Sequence, residues 1–430
     1  MLSEIKDSPF ISRLIFRYLS LSLALVHFIV FLPFLSAVEM AIFFLFKSFH
    51  DTLRRIFAGL SGVRYYHKNY IINNQTNENI IFHFYYHFLF SLLAALIIAL
   101  LIYLDANTYN VFNKFIFLKL QDYIFFVIWV STSLSAIPVN FIAQISKYYK
   151  LTGFFTVFSS IFLTTIVASL FYFFSEITLS TFLISLAIGN LLNFLIVTYF
   201  IFYITRIKRI PSLPLDSFFK MVNFKESMLG FTNTARWQSI LWYLSITNDD
   251  KLIIIFGFFN YFYPLIFFPS SAIFSSIRSK FFEIVDSKNS DKLKDFINNV
   301  TKLNVLYFSI VCSIFLALFV INLNYNFSDK FAQVEFLKYF EELLYIFLAT
   351  FLSLAISAFF FKSLEGTVAG LKKFDGMILI NIITTASLLF IVYLFDGNYT
   401  IIPWIYAIFI SQILRSFLLN IYFFKFLRVI

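Results

Sequence analysis

The run FHFYYHFLFSLLAALIIALLIYL, Phe82 to Leu104, decides the fold class. It holds no Asp, Glu, Lys or Arg, and a bilayer core of ~30 Å needs roughly 20 such residues in a helix. The same ruler, moved outward along the chain, finds twelve spans. They cover residues 14–34, 38–58, 82–104, 123–145, 151–174 and 179–203, then 228–246, 252–273, 303–323, 340–361, 377–394 and 401–424. Composition agrees: 60% of the 430 residues are hydrophobic, 65 are Phe, and only 13% are charged, against ~25% in an ordinary soluble chain. Too few polar residues are present to cover a water-soluble core, and intrinsic disorder is excluded on the same ground. Cys312 is the one cysteine, so no disulfide scaffold exists. The runs are too long and too uniformly apolar for the alternating strands of a β-barrel. The expected fold is an all-α integral membrane protein of about twelve transmembrane helices in two six-helix bundles.

Orientation follows from Lys and Arg. With the N-terminus in the cytoplasm, most of the 33 basic residues fall on cytoplasmic segments or helix ends. Lys114, Lys119, Lys251, Lys330 and Lys338 fall outside, and Lys47, Arg236 and Arg415 lie within spans. This asymmetry accounts for the net charge of +10 without a nucleic-acid partner. It also supports a helix at 38–58 despite the charges there, because removing it would invert everything downstream. Glu4 and Asp7 spoil the positive n-region of a cleavable signal, so both termini are expected in the cytoplasm.

A basic segment, 206–225, carries Pro211 and Pro214 and separates an N-terminal bundle, 1–205, from a C-terminal one, 226–430. Six-plus-six designs place a site near mid-membrane between the halves. The longest hydrophilic stretch, 275–302, reads as an amphipathic helix on the membrane surface. No segment is large enough for a soluble catalytic head.

Charges inside spans carry the chemical information, since each costs ~2.5–3.5 kcal/mol at a helix centre. Thr232, Asn233, Arg236, Ser239 and Tyr243 share about 120° of one helix. Two readings stand: a guanidinium that meets an anion between helices, or one that holds a neighbouring helix. Lys47, His50, Asp51 and Arg54 share a side of the second span, with Glu39 nearer its other end. They form either a cationic patch or the self-neutralising pairs Lys47–Asp51 and Asp51–Arg55. Arg17 and Arg278 stand at cytoplasmic helix ends, where topology explains them equally well. Arg415 lies in the last span. His83 and His87 have metal-ligand spacing but no further ligands, and no metal is expected. The pairs Asn140/Gln144 and Asn190/Asn193 predict interhelical hydrogen bonds. Pro138, Pro264 and Pro269 predict kinks.

From Asp250-Lys251-Leu252-Ile253-Ile254-Ile255 the chain runs through an aromatic-rich helix with Pro264 and Pro269. It passes Ser270, Ser271 and Arg278 to reach Ser290-Asp291-Lys292-Leu293-Lys294. With the turn Gly370-Leu371-Lys372-Lys373, this resembles the polysaccharide flippases, the Wzx type, of the multidrug/oligosaccharidyl-lipid/polysaccharide exporter superfamily. The resemblance implies a V-shaped pair of bundles in a bacterial inner membrane. Its cargo would be a polyprenyl-pyrophosphate-linked oligosaccharide, flipped outward for assembly of O-antigen or lipopolysaccharide. Membrane lipids, a polysaccharide polymerase and other assembly proteins would be its partners. Arg236 and Lys47 best match the family's cationic cavity residues, then Arg54, and Asn233, Arg17, Arg278 and Arg415 complete the set. No cofactor is expected. If a proton or sodium gradient drives the cycle, Asp51 and Glu39 are the acidic groups available in the first half.

Two rivals remain. A multidrug cation exporter shares the superfamily architecture, but needs an acidic group for its cargo, and the first span offers Arg17 and His27 instead. The same Arg17 and His27 resemble the first helix of membrane acyltransferases that modify surface glycans, where the histidine is a general base.

Overall fold

Ser36-Ala37-Val38-Glu39 is a capping box, and it starts α1 (Ala37–Leu60). The Ser36 backbone N–H and hydroxyl each donate to Glu39 Oε2 at 2.9 Å, and the Glu39 N–H returns to Ser36 Oγ at 3.3 Å. The helix predicted at 38–58 therefore exists, charges included. It is part of a computed structural model that describes residues 34–60, 77–109, 111–135, 163–174, 176–205, 224–247, 249–286, 290–325, 339–361, 374–395 and 400–427, with Phe31 and Ile137.

Among these residues every regular element is helical. The α-helices after α1 are α2 (Asn77–Leu104), α3 (Leu120–Ser135), α4 (Leu163–Phe174), α5 (Leu179–Thr205) and α6 (Phe224–Thr247). They continue as α7 (Asp250–Asp286), α8 (Ser290–Tyr325), α9 (Phe340–Phe361), α10 (Phe374–Leu394) and α11 (Ile402–Leu427). A π-turn at Asp105–Tyr109 and a 3-10 turn at Asn113–Phe117 join α2 to α3, with Asp105 accepting the Val111 and Phe112 N–H groups at 3.1 and 2.9 Å. Six of the described helices are long and apolar enough to cross a membrane. The first predicted span lies outside the described residues.

One expectation fails. Residues 275–302 are not a separate surface helix. α7 continues through Pro264 and Pro269 to Asp286, and the strip Ser290–Lys294 is the first turn of α8. At ~1.5 Å per residue these helices are ~55 Å long, so each extends well beyond a ~30 Å apolar core. Two apolar helices with polar extensions look, in a hydropathy average, like a third element between them.

The chain divides into two compact units, one within Ile11–Thr234 and one within Ala235–Ile430; the division falls inside α6. In the N-terminal unit the starts of three helices meet. Glu39 Oε1 accepts the Leu179 N–H of α5 at 2.9 Å, so one carboxylate caps two helices. Asp122 accepts the Lys119 N–H at 2.9 Å and the Ser180 hydroxyl at 2.6 Å, joining the start of α3 to that of α5. Carboxylates at helix N-termini satisfy orphan N–H groups and oppose the dipole. Below them Phe46 stacks on Phe126 at 4.6 Å, and Phe43 meets the edge of Phe182 at 4.9 Å.

The C-terminal unit is filled by rings. On α7, Phe256 packs on Trp404, and Phe259 on Trp237 and Phe347. Phe315 of α8 stacks on Phe347 and Phe351 of α9 at 4.9 and 5.8 Å. The apolar window of α9 is 61% buried and that of α8 only 11%, which makes α9 the central helix and gives α8 a face for lipid.

Candidate functional site

The polar groups of the N-terminal unit converge on the middle of α1. Spacing of four residues puts Lys47 and Asp51 one turn apart, and Lys47 Nζ donates to Asp51 Oδ2. His50 turns inward and is only 8% exposed. Its Nδ1 lies 3.2 Å from Asp51 Oδ1 and its Nε2 lies 2.6 Å from Ser133 Oγ on α3. The imidazole stacks on Trp129 with ring centres 4.8 Å apart and planes 13° from parallel, and Phe43 covers the indole in turn. Lys47 and Asp51 keep 20% and 25% of their side-chain surface. Arg54 and Arg55, one turn on, are exposed. The self-neutralising reading holds for Lys47 and Asp51, and it leaves Arg54 as an exposed cation at the edge of the network.

The far end of α1 is pressed against the start of α6. The Ser227 hydroxyl donates to Ile56 O at 2.8 Å. A Cβ on Gly59 would stand 2.5 Å from the Ser227 backbone, and one on Gly230 would stand 2.6 Å from Arg55 O. Only glycine lets these backbones approach so closely, as small residues do where membrane helices cross.

In the C-terminal unit α11 holds its neighbours through two arginines. Arg236 of α6, 2% exposed, donates from Nη2 to Gln412 Oε1, and its guanidinium lies 4.9 Å from the centre of the Trp237 ring. Arg415, 4% exposed, donates from Nε to Asn381 Oδ1 of α10 at 2.9 Å. Of the predicted stripe, Thr232 and Ser239 are buried with Arg236, while Asn233 is exposed. Arg236 is thus an interhelical tie as the structure stands.

Glu39, read as an acid within a span, is the double cap already described. The predicted interhelical bond of Asn190 is instead a bond to Leu186 O of its own helix, at 2.8 Å. His87 is buried edge-on to Phe57. Arg17, Asn140 and Gln144 lie outside the described residues, as do the side chains of Arg278 and His83. Ser133, Trp129, Asn381 and Gln412 went unnoticed in the sequence. Each is an ordinary residue for a membrane helix until its partner on another helix is known.

No family model matches the sequence, and no curated protein does. Solved structures do. An inward-facing multidrug resistance MATE family transporter of the MOP superfamily matches with TM-score 0.65 at 13% identity, over 97% of this chain and 99% of that one. The eukaryotic MATE transporter AtDTX14 gives 0.65 at 12% identity, over 98% and 96%. A mutant of the Vibrio cholerae MATE transporter VcmN gives 0.63 at 12%, over 97% and 95%. The chain therefore has the all-α, multi-pass membrane fold of these transporters.

Proposed function

We propose that this chain is an exporter of the multidrug/oligosaccharidyl-lipid/polysaccharide superfamily that moves its cargo by alternating access. The observation carrying this reading is the match of its fold, end to end, to MATE transporters in more than one conformation. Small-molecule drugs are the cargo that the neighbours' multidrug-resistance names favour. On this reading the protein sits in a bacterial cytoplasmic membrane with both termini inside.

A second cargo is supported by one feature of the N-terminal unit. Glu39, Asp51 and Asp122 are each bonded to backbone, hydroxyl or basic groups. Beside them Arg54 is exposed. A cationic drug would find these carboxylates engaged, whereas an anion would find a guanidinium ready to make charge-assisted hydrogen bonds. That favours a polyprenyl-pyrophosphate-linked oligosaccharide, whose charged head cannot cross hydrocarbon bare.

Proteoliposomes of the purified chain test both. Accumulation of a cationic dye with no effect on a fluorescent polyprenyl-pyrophosphate oligosaccharide supports small-molecule export. Faster exposure of the glycolipid to an impermeant quencher, reduced about tenfold in Arg54→Ala and Lys47→Ala, supports flipping. Movement of neither, under proton and sodium gradients, would sink the transporter reading.

A further inference from the structure

The network around His50 has a property that neither cargo requires. Both imidazole nitrogens already face oxygens: Nδ1 the Asp51 carboxylate at 3.2 Å, Nε2 the Ser133 hydroxyl at 2.6 Å. Ser133 in turn reaches Val130 O at 3.3 Å, where its own proton can go. The hydroxyl oxygen is then free to accept from Nε2. An imidazole flanked by a carboxylate and a committed hydroxyl can carry a proton on each nitrogen without losing a bond. With one proton removed, Nδ1 keeps the remaining one toward the Asp51 carboxylate, and the Ser133 hydroxyl can turn to donate to Nε2. Asp51 is balanced by Lys47, so the state of His50 sets the net charge of the group.

We propose that His50, held by Asp51 and Ser133, is a reversible proton-binding site buried on α1, the helix that the sequence reads as the second span. Ionisable groups within spans are costly and are kept where charge must move, and histidine changes charge in the ordinary pH range. The charged groups acting on His50 are Asp51, Arg54 and Lys47, all on its own helix. Of the elements packed on α1, α3 brings Trp129, Ser133 and, at its start, Asp122. The 3-10 turn carries Lys114, α2 carries His87, and α6 begins with Lys225 and Glu226. α5 carries no acidic or basic side chain.

The stack on Trp129 makes the proton visible. A charged imidazolium against an indole face interacts with it as a cation and quenches its fluorescence. The full chain, purified in detergent, is titrated from pH 9 to pH 5 while tryptophan emission is recorded. Emission falls on acidification in the wild type. The fall disappears in Trp129→Phe and in His50→Gln, and its midpoint moves by about one pH unit in Asp51→Asn. A titration in His50→Gln that overlays the wild type overturns the proposal, and so does a wild-type titration that Trp129→Phe leaves unchanged.

Coupling of this proton to transport rests on the exporter reading, and a second measurement separates the two. In proteoliposomes a pH gradient accelerates cargo movement by the wild type and has no effect on His50→Gln, while movement at equal pH persists in both. If neither cargo moves, the exporter reading falls and the fluorescence titration still decides the proton site.

Discussion

The two units solve the same problem differently. Each must hold polar side chains within a helical bundle, where a buried polar group needs a partner. The N-terminal unit uses ionised neighbours on one helix, Lys47 with Asp51, and ties them to α3 through His50 and Ser133. The C-terminal unit uses guanidinium groups and places amides against them from other helices, Gln412 for Arg236 and Asn381 for Arg415. An arrangement that includes a histidine can change charge. Guanidinium with amide cannot, since Arg stays protonated and the amide is neutral. One unit is therefore suited to respond to its surroundings and the other to keep its shape.

Substitution should break this contrast in a graded way. Asp51→Ala leaves Lys47 and His50 without their carboxylate and should lower stability by about 3 kcal/mol, read by chemical unfolding in detergent. Lys47→Met with Asp51→Leu should recover most of that loss, because the unpaired charge is gone. Asn381→Leu removes the oxygen that accepts from Arg415 Nε and should cost about 2 kcal/mol, with no recovery on changing pH between 6 and 9. Gly59→Ala should lower the melting temperature more than Gly376→Ala does. The first sets a Cβ against the Ser227 backbone, while the second meets the end of the Tyr422 side chain, which can turn aside. A difference of about 1–2 kcal/mol is expected. Smallest is Ser36→Ala, about 1 kcal/mol for a lost cap, seen as earlier fraying at the start of α1 by hydrogen exchange.

Much of the fold was legible because a bilayer imposes a length, and helices such as α2, α9 and α10 announce it by an unbroken apolar run. α1 was legible only through charge asymmetry, which is a property of the whole topology. The strip 275–302 misled because hydropathy cannot tell a helix that leaves the membrane from one that lies on it. Within the site, Lys47 and Asp51 were legible since their spacing is local. Ser36 and Glu39 spelled a capping box, yet Glu39 was weighed as an acid in a span, and its second partner at Leu179 lay far beyond any local pattern. Gln412 and Asn381 have meaning only once α11 lies against α6 and α10.

That distance has a consequence for how the protein is made. Glu39 and Leu179 are 140 residues apart, and a ribosome adds ~5–20 residues per second. For on the order of ten seconds after Glu39 is synthesised, one of its oxygens has no partner from its own chain. A shorter interval, 83 residues, separates His50 from its partner Ser133 on α3. The nascent N-terminal unit thus waits, with its charged helix incompletely bonded, for the arrival of α5 to close it.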